Sequence, residues 1–376
     1  MRAREVDVVV AGAGPAGTAA AIALARAGRR VLLADPLDAP PGELKVGETL
    51  PAVAGAVLRD LGLPDVESAG VAIPSAGTSA AWGAGGPLES DAVADPHGRG
   101  WHLDRTRFDA WLREEARAAG AELCAGRVAL EGRAAPEGSA TPEGSAVVRI
   151  LGGPEPAAVA CRRLVDATGR RAAVARGQGA RRERGDRLVA LYGAVSTAAE
   201  DRDTRTRLEA MPSGWWYSAL VGDGRRIVAF LTDADLVEPG WRSSDGFRAA
   251  LGATSHIVPA GDPAKLAFGP ATTAAHGSRL APAAGDGWLA VGDAALAFDP
   301  LSSQGILNAL VTGLQGAAAV DASLRGDTDA VAAYEGRLAR VWSAYEVNRS
   351  RAYALESRWP DSPFWARRRV ASATLG

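Results

Sequence analysis

Apolar positions along the chain follow two rhythms. Residues 6–10 form a short run of valines interrupted only by Asp7, the pattern of a strand buried on both faces of a parallel sheet. A glycine-rich turn follows, then a helix-forming run over residues 18–27 closed at Gly28, then a second apolar strand over 30–34 that ends on Asp35. Strand-type runs recur at 164–166 and 288–291, the latter leading into a long helical stretch to about Leu324. Residues 101–109 are expected to lead into a helix through Ala119. From 186 to 278 the pattern becomes strand-rich, and residues 215–221 and 226–231 read as a hairpin around Gly222-Asp223-Gly224. The imperfect repeat over 135–140 and 141–146 reads as a flexible hairpin tip between strands 127–130 and 147–151. From Asp327 the chain is helical, then rich in aromatic residues and arginine.

The first turn reads Gly12-Ala13-Gly14-Pro15-Ala16-Gly17, a G-x-G-x-x-G between strand and helix. Gly12 permits the tight turn, Gly14 lets the backbone approach a pyrophosphate, and Gly17 allows close helix–strand packing. The helix start offers free N–H groups to phosphate, and Asp35 stands where a carboxylate receives ribose hydroxyls. The fold expected is α/β (α+β overall), with a Rossmann-like dinucleotide domain, an inserted antiparallel-sheet domain and a C-terminal helical segment. The dinucleotide domain is expected to be discontinuous, over 1–80, 98–185 and 279–326. The sheet domain takes 81–97 and 186–278, and the tail 327–376.

Composition narrows the partners. With 47% apolar and 23% charged residues, the 376-residue chain can bury a large core. A net charge of −2 leaves no electrostatic footprint for nucleic acid or an anionic membrane, so neither is expected as a partner. Lys45 and Lys265 are the only lysines, an arginine bias that points to a GC-rich genome. Cys124 and Cys161 form no C-x-x-C pair, which argues against a disulfide scaffold or a metal site. The basic start and apolar stretch 6–25 admit a signal peptide or membrane span. Asp7, Pro15 and the glycines interrupt that stretch and fit the strand–turn–helix reading, so a cytoplasmic protein is expected.

The first turn does not distinguish NAD from FAD; a late segment does. It reads Gly292-Asp293, then Phe298-Asp299-Pro300-Leu301-Ser302-Ser303-Gln304-Gly305-Ile306 before the long helix. A simple αβ unit with Asp293 as an N-cap explains neither this spacing nor its pairing with the first turn. Between the two lie Trp101-His102-Leu103-Asp104-Arg105-Thr106-Arg107-Phe108-Asp109 and Asp166-Ala167-Thr168-Gly169-Arg170. In this order the four motifs resemble the para-hydroxybenzoate-hydroxylase-like superfamily of FAD enzymes, over nearly the whole chain. The resemblance implies FAD held by Gly12, Gly14, Pro15, Ala16, Gly17, Asp35, Lys45, Gly47, Arg105, Val128, Asp166, Gly169, Gly292, Asp293, Pro300, Ser303, Gln304, Gly305 and Ile306. It also implies a helix start facing the flavin, whose dipole stabilises negative charge on the reduced ring.

Three features bear on the substrate. Period-two alternation puts Trp215 and Tyr217 on one face of the hairpin and Trp216 and Ser218 on the other. Trp215, Trp216 and Tyr217 are therefore either pocket wall or ordinary sheet core. Lys45-Val46-Gly47-Glu48 is either a site loop or a helix-entry turn with solvated charges. The aromatic and arginine-rich tail, 353–369, either recognises a partner or clamps onto the body.

K-V-G-E and G-W-W-Y resemble the flavin-dependent tryptophan-halogenase branch. Halogenases carry W-x-W-x-I-P and an active-site lysine, whereas this chain has Trp215-Trp216-Tyr217-Ser218-Ala219-Leu220 and no lysine from Val46 to Ala264. K-V-G-E-x-L-P, G-W-H-L-D-R-x-x-F-D, G-W-W-Y-S-A and F-D-P-L-S-S-Q-G-I look like the LodB/GoxB-type enzymes. These are halogenase-like monooxygenases that hydroxylate tryptophan side chains within partner proteins. The resemblance implies that reduced FAD and O2 give a C4a-hydroperoxide whose distal oxygen is attacked by an electron-rich indole.

Glu48, His102 and Tyr217 are the candidate catalytic polar groups. Ser302 has no evident His/Asp relay, which argues against a hydrolase. The implied partners are a peptide or protein carrying a tryptophan, or a small indole. Asp166-Ala167-Thr168-Gly169 stands where one-component hydroxylases carry A-D-G, so a separate flavin reductase using NAD(P)H is expected to supply reduced FAD. The alternatives are a halogenase, a geranylgeranyl-reductase-like oxidoreductase acting on lipids, and a flavin-binding protein without catalysis.

Overall fold

The computed structural model describes residues 4–37, 45–83, 85–133, 145–152, 157–197, 201–257 and 261–373. Its first layer is an eight-stranded sheet with a parallel centre. Arg4–Ala11 lies between Ala157–Asp166 and Val31–Asp35, with Trp288–Ala290 beyond the former and Glu122–Ala125 beyond the latter, all parallel. Val8, Val9 and Val10 are fully buried, which is why this strand reads as continuous rather than alternating.

The helix Pro15–Arg26 starts with Pro at its first turn and packs on Gly305–Leu324 through small residues. A Cβ on Gly313 would sit 2.4 Å from the Ala16 carbonyl oxygen, and one on Gly292 2.5 Å from the Ala16 Cβ. The absence of side chains at these positions is what lets the elements meet. Arg127–Arg133 and Ala146–Leu151 pair antiparallel, while positions 135–144 of the repeat expected between them lie outside the described residues.

A second layer is a seven-stranded sheet of mixed direction, drawn from residues 77–91 and 188–274. Its order is Gly261–Ala274, Leu188–Thr197, Arg225–Asp233, Gly214–Leu220, Arg205–Met211, Gly77–Ala81, Leu88–Asp91. The boundary drawn at residue 81 thus falls at the end of a strand that already belongs to this sheet. The chain is a mixed α/β fold with added antiparallel strands and C-terminal helices.

A small sheet of Thr49–Leu50, Trp101–Leu103 and Ala72–Pro74 bridges the layers. His102 lies at its centre, fully buried. Its Nδ1 is 2.9 Å from the Leu220 carbonyl oxygen and its Nε2 2.9 Å from Thr206 Oγ1. A carbonyl only accepts, so Nδ1 carries the proton and Nε2 accepts from the threonine hydroxyl. Both nitrogens are used in joining the bridge to the large sheet, and His102 does not line the cleft described below. The catalytic role expected of it gives way to this joint.

The tail closes over the body. Ala330–Ala354 packs on Gly305–Leu324, and Tyr334 Oη donates to the Ala290 carbonyl at 2.9 Å. Tyr353, Phe364 and Trp365 are buried, and Arg367 and Arg368 reach Asp233. Of the two readings of these aromatics, the geometry is that of a clamp. Among the described residues, no helix is long and apolar enough to cross a membrane.

Burial pulls the His102 pKa from 6.5 down to about 4, aided by Arg226 and opposed by the Leu220 carbonyl and Asp203. The folded protein therefore resists a proton that the unfolded chain accepts. Stability is full above pH 6.5 and falls as pH drops toward 4, by about 3 kcal/mol for this group. Chemical denaturation across that range should show the slope, and His102→Gln, although less stable at neutral pH, should lose this group's part of it.

Candidate functional site

The parallel strands deliver their C-terminal ends to one side of the first sheet, and a cleft of about 560 Å³ opens there against the face of the second sheet. Its first wall is the glycine turn, of which Gly14, Pro15 and Ala16 line the space. Gly12, at φ +105°, and Gly17 are needed for packing instead. A Cβ on Gly12 would lie 2.3 Å from the Ala167 carbonyl oxygen, and one on Gly17 1.8 Å from that of Gly12. Asp35 holds the turn from beside it, accepting from the Ala13 N–H at 2.8 Å and the Leu37 N–H at 2.9 Å.

The neighbouring turn, Ala167–Arg171, is held by buried Asp166. That carboxylate accepts from the Thr168 and Ala175 N–H groups at 2.9 and 2.8 Å, and Gly169 reaches the cleft. Asp293 lines the third turn, with Arg170 Nε 3.6 Å away. Gly292 lies behind it, its N–H donated to Thr312 Oγ1 at 2.8 Å.

Pro300, Ser303, Gly305 and Ile306 complete this wall, while Gln304 precedes the helix outside the lining. Val128 also lies outside it, on a strand whose approach is fixed by the Gly126 N–H bonding the Asp35 carbonyl at 2.8 Å. Lys45 and Arg105 both reach the buried carboxylate of Asp109, at 3.1 and 3.2 Å. Arg105 lines the cleft and also donates to the Val46 and Gly47 carbonyls; Gly47 lines it and Lys45 does not.

Two helices begin at this cleft without a capping side chain, Pro15–Arg26 after Gly14 and Gly305–Leu324 after Gln304. Their first-turn amides and positive dipole ends are left for a ligand. A Cβ placed on Gly14 or Gly305 meets no protein atom within 4 Å. Small residues that line a cleft yet are not required by packing form a cradle, and its donors suit the phosphates and electron-rich ring of a flavin dinucleotide.

The opposite face presents Ala190, Tyr192, Ile227, Ala229, Leu231 and Tyr217 from alternating positions of three strands. Tyr217 is the member of the aromatic trio that lines the cleft. Trp215 shares its face but is fully buried, with Nε1 donating to Tyr353 Oη at 3.1 Å. Trp216 points the other way, against Phe230 and Phe247 at 5.1 and 5.3 Å. Both tryptophans are sheet core, so they form no wall of this cleft.

At the junction of the two faces stands Glu48, 2% exposed, accepting from the Gly47 N–H at 2.8 Å. Tyr217 Oη hydrogen-bonds Glu48 and lies 2.8 Å from Thr49 Oγ1. Burial raises the Glu48 carboxyl above its usual range, against the hydrogen bonds of Tyr217 and Gly47 and the charge of Arg105. Tyr217 is held well above its own range, first by desolvation and then by Glu48.

Sequence reading missed Arg170 and Tyr192. Arg170 is the residue after D-A-T-G and donates to the His276 and Phe298 carbonyls at 2.6 and 3.1 Å. Tyr192 shares the period-two face of its strand with Ala190, an alternation visible in the sequence.

The sequence profile described as an FAD binding domain matches residues 5–320. LodB of Marinomonas mediterranea, which carries the name of an FAD-dependent oxidoreductase, is 29% identical over 98% of each chain. The structure of the peptidyl tryptophan dihydroxylase QhpG superposes with a TM-score of 0.76 at 26% identity, covering 97% of this chain and 78% of its own. The flavin-dependent halogenase CmlS gives 0.81 at 23% identity, over 97% of this chain and 68% of its own, a likeness of fold.

The two glycine roles separate experimentally. Gly12→Ala should cost the unliganded protein about 3 kcal/mol through its positive φ and the Ala167 contact. Gly14→Ala should leave the unliganded melting temperature unchanged and weaken FAD roughly tenfold or more in a fluorescence titration.

Proposed function

The chain belongs to the FAD binding domain family, and on that premise we propose that it is a flavin-dependent monooxygenase hydroxylating the indole of a tryptophan carried by a peptide or protein. The observation that carries this reading is the uncharged sheet face of the cleft. Ala190, Tyr192, Ile227, Ala229 and Leu231 offer a flat aromatic ring apolar contact opposite the helix starts. Among the described residues, that face brings no charged side chain to pair with the carboxylate and ammonium of a free amino acid. A tethered tryptophan has neither charge to satisfy. The full-length likeness to LodB and the fold shared with a peptidyl tryptophan dihydroxylase support the same substrate class.

FAD, once reduced and met by O2, supplies electrophilic oxygen, and the protein's share is to bind, exclude water and place a proton. Gly14, Gly169, Asp293 and Gly305 would hold the cofactor, with Arg105 fixing the loop that carries Glu48. The raised Glu48 carboxyl keeps a proton in the cleft, and Tyr217 Oη passes it toward the departing oxygen while Thr49 Oγ1 fixes the phenol's orientation. Reduced FAD is supplied by a separate flavin reductase using NAD(P)H. A halogenase reading has less to rest on. Among the described cleft residues there is no lysine, and Lys45 is bound to Asp109.

Incubating the protein with reduced FAD, O2, chloride and either free tryptophan or a tryptophan peptide should add one or two oxygen atoms to the peptide and leave the amino acid unchanged. A chlorine isotope pattern would favour the halogenase, and turnover of neither substrate would overturn the reading.

Glu48 acts in its protonated form, so kcat/KM should fall as pH rises through its elevated pKa. Glu48→Gln should lower kcat on the order of 100-fold and flatten that limb, with flavin content unchanged.

A further inference from the structure

Aromatic rings on the cleft-side face of the second sheet, in the cluster that also holds the cleft-lining Tyr192 and Tyr217, run out to the partly exposed Trp359. We propose that this path carries one-electron oxidising equivalents out of the cleft, so that oxygen chemistry that misses its substrate does not destroy the site. The inference rests on the oxygen-activating reading above.

Trp215 begins the path, packed in one cluster with the cleft-lining Tyr192 and Leu231. Its Nε1 meets Tyr353 Oη at 3.1 Å, and the Tyr353 ring lies 6.0 Å from Trp365. Trp82 touches the same rings, 6.0 Å from Trp215 and 5.3 Å from Trp365. Trp359, partly exposed, stacks on Trp365 at 6.3 Å and 28°.

A packed core needs only volume here, which Phe would supply at position 353. Instead the Tyr353 hydroxyl accepts from Trp215 and donates to the buried Asp299 carboxylate at 2.8 Å. An acceptor at that position lets the phenol lose its proton as it loses an electron. Arg349 and Arg368 face the Tyr353 ring at 5.2 and 5.0 Å, which disfavours a radical cation there but not the neutral phenoxyl.

A hydroxyl radical escaping in the cleft takes one electron from Trp215 and one proton from solvent, and becomes water. Tyr353 restores Trp215, and its phenolic proton passes to Asp299 Oδ2. Trp365 then restores Tyr353, which recovers its proton from Asp299, and Trp359 restores Trp365, losing its own indole proton to solvent as it does so. A solvent thiol reduces Trp359, supplying the electron and the proton and ending as a thiyl radical.

The test needs neither O2 nor substrate, so it stands apart from hydroxylation. Protein loaded with oxidised FAD is flashed with blue light under argon, and the excited flavin withdraws an electron from the nearest aromatic ring. In the wild type, transient absorption should show a long-lived tryptophan or tyrosine radical that added thiol quenches. Tyr353→Phe and Trp365→Phe should shorten the radical's lifetime several-fold, while Trp241→Phe, across the sheet, should not. If the buried variants fail to fold, Trp359→Phe, at a partly exposed position, should abolish the thiol quenching. Equal lifetimes and equal quenching in the variants and the wild type would overturn the proposal.

Discussion

Two uncapped helix starts aimed at one cleft are the constraint on which the rest of the structure depends. Orphan amides at a helix start must find a partner, and here no side chain supplies one. Bringing them together requires close backbone approaches that tolerate no Cβ, at Gly12 against Ala167, Gly17 against Gly12, Gly292 against Ala16 and Gly313 against Ala16. Gly14 and Gly305 are different, because nothing in the protein presses on them and their bareness serves the ligand. Packing glycines and cradle glycines thus occupy neighbouring positions for opposite reasons.

That distinction explains what was legible in the sequence. The first turn and the late segment were readable because their demands are local, set by residues a few positions apart. The aromatic hairpin was not. Alternation correctly gave Trp215 and Tyr217 one face, yet Tyr217 reaches the cleft while Trp215 is covered by Trp82, Tyr353 and Trp365. Those covering rings come from segments far along the chain, which periodicity cannot bring together. His102 follows the same logic, since its partners Leu220 and Thr206 lie more than a hundred positions away.

The tail, a segment of open purpose in the sequence, proves integral to the site's rear wall. Asp299 opens the turn beside the cleft and accepts from Leu301, while its second oxygen takes Tyr353 and Arg349. Arg349 also pairs with Asp186 at the entrance to the second sheet. One buried carboxylate therefore joins the cofactor-side turn, the C-terminal helix and the sheet. Breaking such a network on one side leaves an unpaired buried charge, so the tail and the cleft loop should hold or fail together.

The cleft joins two faces of different chemistry, amide donors from the helix starts and an uncharged aromatic-lined sheet, with the Glu48–Tyr217 pair at their junction. In the function proposed above, oxygen activated on the first face is delivered to an indole held on the second. The most direct measurement is turnover of a tryptophan peptide under 18O2 in ordinary water, followed by mass spectrometry of the modified ring. Each newly introduced hydroxyl should carry label from O2. Oxygen arriving from water, or a peptide left unmodified while the flavin reoxidises, would contradict it.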